Sequence, residues 1–222
     1  MGRFLPGVYD SNTTTFEATK MADQRSTQTS RSRLMHAGKT IMARVGYEQA
    51  TTSAIAREAA TSESQLMRYF GGKAGLLAAI FEESWAPMNA QIQSVVAGAA
   101  DARSALASVL ALFIEAFDRD DELAQLFLFE GRRMRGPRHE VHLSSGYLDF
   151  VELLDRLVRQ GQHEGGFSPR FNSRIMVAAL VGAAEAMVRE RLTARTANGG
   201  TEYSGAHLRQ VFEAMIGGFA AR

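Results

Sequence analysis

The chain has 222 residues, 45% of them hydrophobic, and carries 25 Lys plus Arg against 24 Asp plus Glu, a formal net charge of +1. That is enough apolar material to bury a substantial core and to form one small domain and one larger one. There is no cysteine, which excludes disulfides, thiolate metal sites and cysteine nucleophiles and is compatible with a cytoplasmic location.

Residues 1–30 are rich in Ser and Thr and lack helical periodicity, so they read as a flexible arm. They contain no apolar run of signal-peptide type. From Arg33 to Gly46 the apolar residues Leu34, Ala37, Ile41, Met42 and Val45 recur at helical spacing. Gly46 is placed to stop that helix in a left-handed conformation.

Two short helical patterns follow and meet at a tight turn. The first, Thr51 to Ala60, keeps Ile55, Ala56 and Ala59 on one face; the second, Ser62 to Phe70, buries Leu66 and Phe70 and turns Ser64, Gln65, Arg68 and Tyr69 outward. This is the layout of a helix-turn-helix, completed by the preceding helix into a three-helix head. Ser62 and Gln65 fit a capping box, and a Gln65 that bends back to cap is not free to read a base. Lys73 opens the next helix, at the end where the macrodipole disfavours a cation, so its position asks for an anion such as a DNA phosphate. Charge distribution agrees with a nucleic-acid end: residues 1–73 hold 10 basic against 6 acidic side chains, and the remainder 15 against 18.

Over about fifty residues the head resembles the N-terminal domain of the TetR family of bacterial transcriptional regulators. The resemblance is carried by Gly46-Tyr47, Thr51-Thr52, Ile55-Ala56, Ser62, Leu66, Tyr69-Phe70, Lys73 and Leu76-Leu77, in order and spacing. Two positions depart from the family pattern: Ala60 stands in the turn where Gly is usual, and Met67 stands where a phosphate-contacting Tyr is usual. The resemblance implies that Thr52, Tyr69 and Lys73 hold phosphates and that Ser64, Gln65 and Arg68 face base edges. The competing reading of Gln65 and Arg68 is a solvated helix face. Arg31 and Arg33, at the junction of arm and head, are candidates for following the DNA backbone or entering a minor groove, against the alternative of a solvated tail.

Beyond Lys73 the periodicity predicts helices through Leu76 to Phe81, then Ala102 to Phe117, Glu122 to Arg133, Val141 to Gln160, Phe171 to Thr193 and Ala206 to Phe219, with no strand. The fold class expected is therefore all-α, divided into an arm (1–30), the helix-turn-helix domain (31–75) and a helical effector-binding and dimerisation domain (76–222). Pro87 either kinks the long helix that joins head to body or starts a new one. The longest apolar stretch, Ile175 to Val188, is short and interrupted by Glu185, so no membrane span is expected.

In TetR-like proteins the body holds an effector pocket, and the candidate lining here is Trp85, Phe113, Phe117, Phe127, Met134, Phe150 and Met176; core filling is the competing role for each. The family dimerises through its last two long helices. Ala178, Gly182 and Ala186 form a small-residue stripe suited to that contact, with Glu185 and Arg189 as an i, i+4 ion pair or a reach to the partner; packing within one chain is the alternative.

Two chemical signals fail on spacing. His139-Glu140-Val141-His142 places its histidines three apart rather than four and follows Gly136-Pro137 in a loop, so no metal is expected. The glycine pairs at 165–166 and 199–200 read as turns between helices, without a preceding strand or the spacing of a phosphate cradle. No catalytic constellation and no cofactor motif is present. The expectation is a homodimeric repressor of a palindromic operator, released by an apolar or amphipathic small molecule. The rival is a helical enzyme or binding protein that uses the helix-turn-helix only as a packing unit.

Overall fold

A computed structural model describes residues 29–129, 134–135, 141–142, 144–198 and 204–221. Among these the chain is helical apart from one small ladder. The helices are α1 (29–45), α2 (Thr52–Glu58), α3 (Glu63–Phe70), α4 (Lys73–Ala97), α5 (Ala102–Arg119), α6 (Asp121–Phe129), α7 (Ser145–His163), α8 (Ser173–Asn198) and α9 (Gly205–Gly218). Between α6 and α7, β1 (Met134–Arg135) pairs antiparallel with β2 (Val141–His142), Met134 opposite His142. The sequence reading placed no strand there and began the seventh helix at Val141. The helix starts later, because Ser144 takes the N-cap and accepts from the Tyr147 N–H at 3.3 Å. The proposed arm, residues 1–28 of it, lies outside the described residues, as do His139 and Glu140.

Local chemistry sets the head. Gly46 stops α1 at φ +80, and Thr51 caps α2 by accepting from the Ala54 N–H at 3.1 Å. α2 ends with Ala60 left-handed at φ +49; the Thr61 N–H reaches back to the Ala56 carbonyl and the Ala60 N–H to that of Arg57. These two bonds form a Schellman motif, whose left-handed residue is ordinarily glycine. Alanine there costs about 1 kcal/mol relative to glycine. Ser62 caps α3, Gly71 ends it at φ +69, and α4 begins two residues later. Leu34, Ile55, Leu66 and Leu76 are fully buried between these helices. α1 approaches α4 so closely at Gly38 that an added Cβ would lie 2.7 Å from Leu76 Cδ2. Val45, expected in this core, is instead partly exposed at the last turn of α1.

α4 is a single helix of 25 residues with Pro87 in its interior, so Pro87 does not start a helix. The proline removes the donor that would serve the Glu83 carbonyl. α4 begins in the head and continues in the body, where α5 is the central helix and packs against α4, α7 and α9. One continuous apolar core runs from Leu34 to Ile216.

Candidate nucleic-acid interface and ligand cavity

On α3, Ser64, Met67 and Arg68 share the exposed face, as i, i+3 and i+4 residues do. Met67 is 53% exposed, one of five large hydrophobic side chains that stand out among the described residues. Arg68 stacks its guanidinium on the neighbouring Tyr69 ring, 4.9 Å from the centroid, and donates to the Tyr69 hydroxyl at 2.9 Å. That contact holds an otherwise free cation at the end of the helix.

Several residues expected at DNA have partners inside the protein. Gln65 bends back, as its capping spacing allowed, and accepts from the Thr61 hydroxyl rather than from the Ser62 N–H. Thr52 donates to Glu63 Oε2 at 2.6 Å, tying α2 to α3. Lys73 lies over the Tyr47 ring, 4.3 Å from its centroid, and donates to the carbonyls of Tyr47 at 2.7 Å and Glu48 at 3.2 Å. The negative ends of those carbonyls meet the need for an anion that its sequence position implied. Arg31 pairs with Glu83 of α4 and covers the Phe70 ring, so it joins head to body instead of trailing toward a groove. Arg33 stays exposed, with a single long bond of 3.4 Å to the Ser30 hydroxyl.

A second connection between head and body is stronger in geometry. Lys39 of α1 lies 2.6 Å from Asp120 and 3.7 Å from Glu122, and Thr40 donates to Glu122 at 3.1 Å. Partial burial alone would raise the Asp120 carboxyl. The hydrogen bonds from Lys39 and the Leu123 N–H, with the charges of Lys39 and His36, outweigh it and hold the group below its ordinary value.

In the body Trp85 is almost fully buried at the centre of a ring cluster. Its ring centroid lies 5.1 Å from Phe127, 5.5 Å from Phe150 and 6.0 Å from both Phe113 and Tyr147, while Phe113 stacks on Phe150 and meets Phe117 edge-on at 4.5 Å. Gly146 makes this possible, since a side chain there would collide with Trp85. Phe81, Trp85, Phe113, Phe117, Phe127 and Tyr147, with Leu128, Val181, Ser144 and Glu185, enclose a cavity of about 30 Å³.

Of the expected lining, Trp85, Phe113, Phe117 and Phe127 therefore face the cavity. Phe150 backs it through Trp85 and Phe113. Met176 is core elsewhere, its sulfur 4.0 Å from Gln162 Nε2 between α7 and α8. The side chain of Met134 is outside the described residues. Glu185, placed by the sequence in an ion pair with Arg189 or at a dimer face, lines the cavity, one turn beyond Val181 at the edge of the exposed stripe. Phe81, Tyr147 and Ser144 were not anticipated; their helical spacing is that of ordinary core or cap residues.

Along α8, Ala178, Gly182 and Ala186 are exposed, with Ile175 at 71%, and Arg189 is half-buried. Among the described residues no group of acidic and histidine side chains is placed to hold a metal, and no helix is long and apolar enough to cross a membrane.

Residues 34–80 match the profile of the bacterial regulatory proteins of the tetR family. The HTH-type transcriptional regulator UidR of Escherichia coli is 26% identical over 158 residues, covering 71% of this chain and 79% of UidR. Residues 34–80 are a TetR-family DNA-binding domain, and the chain is similar to transcriptional regulators of that family. Its fold is shared with the fatty acid degradation regulator FadR from Bacillus halodurans (TM-score 0.74, 22% identity, 87% of this chain and 97% of that one). It is shared also with FadR from Bacillus subtilis, solved in complex with stearoyl-CoA (TM-score 0.71, 18% identity, 85% and 96%).

Proposed function

We propose that this chain is a TetR-family regulator, a cytoplasmic homodimeric repressor that binds a palindromic operator and is released when an apolar or amphipathic small molecule enters the cavity at Trp85. The observation that carries the reading is the exposed face of α3, where Ser64, Met67 and Arg68 are exposed, Arg68 steadied by Tyr69, while Thr52 and Gln65 are occupied internally. Arg68 is suited to a guanine edge, Ser64 to either kind of base, and Met67 to the methyl group of a thymine. Tyr69 and Arg33 are left to phosphates, as are Thr52 and Lys73 if they exchange their internal acceptors for phosphate oxygens.

The exposed stripe of α8 supports dimerisation: Ala178, Gly182 and Ala186 allow a second helix to come close, with Arg189 beside them. A twofold dimer would read half-sites roughly 34 to 36 Å apart, or a multiple of that. Release works by differential affinity, a ligand shifting the dimer toward the state it binds better. α6 is the natural route, with Phe127 and Leu128 at the cavity and Asp120 and Glu122, at its start, holding Lys39 and Thr40 of the head. The cavity as it stands has room for about one water, so the rings must part to admit an organic molecule.

Selection from a randomised duplex pool tests the reading. An enriched inverted repeat, bound in a salt-dependent way by a dimer, is the expected result. A protein that enriches no sequence is not an operator-binding regulator.

A further inference from the structure

We propose that the ligand is an anionic amphiphile, its chain between the rings at Trp85 and its head in an arginine-bearing groove between α7 and α8. This rests on the effector reading above and adds the sign of the charge, the site of the head and the path between the two hollows.

The groove has a volume of about 710 Å³ and lies directly beside the ring cavity, with Tyr147 and Val181 lining both. The two hollows share those side chains as walls, so a molecule that displaces them occupies both spaces. The two sides differ in chemistry. Six aromatic rings line the inner cavity, and Glu185 is the charged residue on its wall. Among the described residues no cation lines that cavity to receive a negative head. The groove carries Arg156, Arg159 and Arg174 against Glu152 and Asp155.

Within α7 the acids are already matched, Glu152 by Arg156 at 3.7 Å and Asp155 by Arg159 at 2.6 Å. Arg174, on α8, has no ion pair among the described residues and is the surplus positive charge. The head that fits is thus negatively charged. Ala178 and Gly182, on the α8 rim of the groove, belong to the stripe proposed to meet the second copy. The head group therefore sits beside the seam that sets the spacing of the two heads.

Trp85 is the single tryptophan and lines the cavity, so its emission reports entry of the chain. The full-length dimer is titrated with dodecanoate, dodecanol and dodecyltrimethylammonium, each below its micelle concentration, with release of a selected duplex followed in parallel. Dodecanoate is expected to saturate the Trp85 signal at a concentration roughly tenfold lower than dodecanol does. Arg174→Gln is expected to bring the two to near parity while leaving the dodecanol titration unchanged. The proposal is overturned by equal binding of dodecanoate and dodecanol to the unaltered protein, by preference for the ammonium probe, by an Arg174→Gln effect that is the same for all three, or by no saturable signal. Dodecanoate binding that leaves the duplex bound supports the ligand site and removes only the regulatory reading.

Discussion

The two ends of the molecule use their side chains in opposite ways. In the head, a small apolar core anchored by Leu34, Ile55, Leu66 and Leu76 holds up a surface whose polar groups are mostly occupied within the protein, leaving Ser64, Met67 and Arg68 on display. In the body the aromatic groups turn inward around Trp85 and nearly close the space between them. The head is thus organised before it meets DNA, whereas the body must rearrange to admit a ligand. Preorganisation favours tight, selective contact at the first site, and adaptability allows a change of state at the second.

Removing the support of the head should have the largest effect. Leu66→Ala is expected to destabilise the fold by about 2–5 kcal/mol, from lost burial and a cavity under the recognition helix, as read by urea unfolding. A loss well below that range would show that α3 is held by its caps instead of its core. In the body, Gly146→Ala forces a methyl group against Trp85 and should cost about 1–3 kcal/mol, with a change in tryptophan emission. An unchanged emission maximum and stability would mean that the ring cluster yields easily, and the contrast between the two regions would sharpen.

Ala60→Gly should act in the opposite direction. It relieves the left-handed alanine in the turn and is expected to stabilise by about 1 kcal/mol with α3 unmoved, measured by thermal unfolding. At the DNA surface, deoxyuridine in place of the thymine read by Met67 should weaken binding by about 1 kcal/mol in the unaltered protein and have no effect in Met67→Ala. Equal losses in both proteins would place Met67 off the bases.

The smallest effect concerns pH. Asp120 has its carboxyl lowered relative to 3.8 by its partners, so its contribution is fully present above that value and is lost only as pH falls through the lower folded value. The ionisation of Asp120 itself should add no pH dependence to the connection between Lys39 and α6 between roughly 5 and 8. A ligand response that varied across that range, and ceased to vary in Asp120→Asn, would contradict this.

Much of the head could be read in the sequence because its determinants are local. Gly46, Thr51 and Ser62 act within a few residues of themselves, and the competition between capping and base reading at Gln65 was visible in its spacing from Ser62. The internal contacts of Arg31 and Lys73 could not be read this way, because their partners are distant in the chain. Glu83 is 52 residues from Arg31, and the carbonyls that hold Lys73 are 25 and 26 residues away. No spacing rule contains that information. The same limit separates Phe81, which faces the cavity, from Met176, which fills core: both are apolar residues at helical spacing, and only the packing of α4, α5, α7 and α8 distinguishes them. Glu185 falls under the same limit, since its spacing puts it at the edge between the exposed stripe of α8 and the cavity wall.

The most direct test of the central claim is fluorescence anisotropy of a selected duplex with the unaltered protein and with Arg68→Ala, repeated over a series of salt concentrations. The account predicts selective binding that falls steeply with salt, and a loss of about 1–3 kcal/mol in Arg68→Ala at one base position, with the dimer intact. Binding without sequence preference, or affinity unchanged by Arg68→Ala, would contradict the assignment of α3 as the surface that reads DNA.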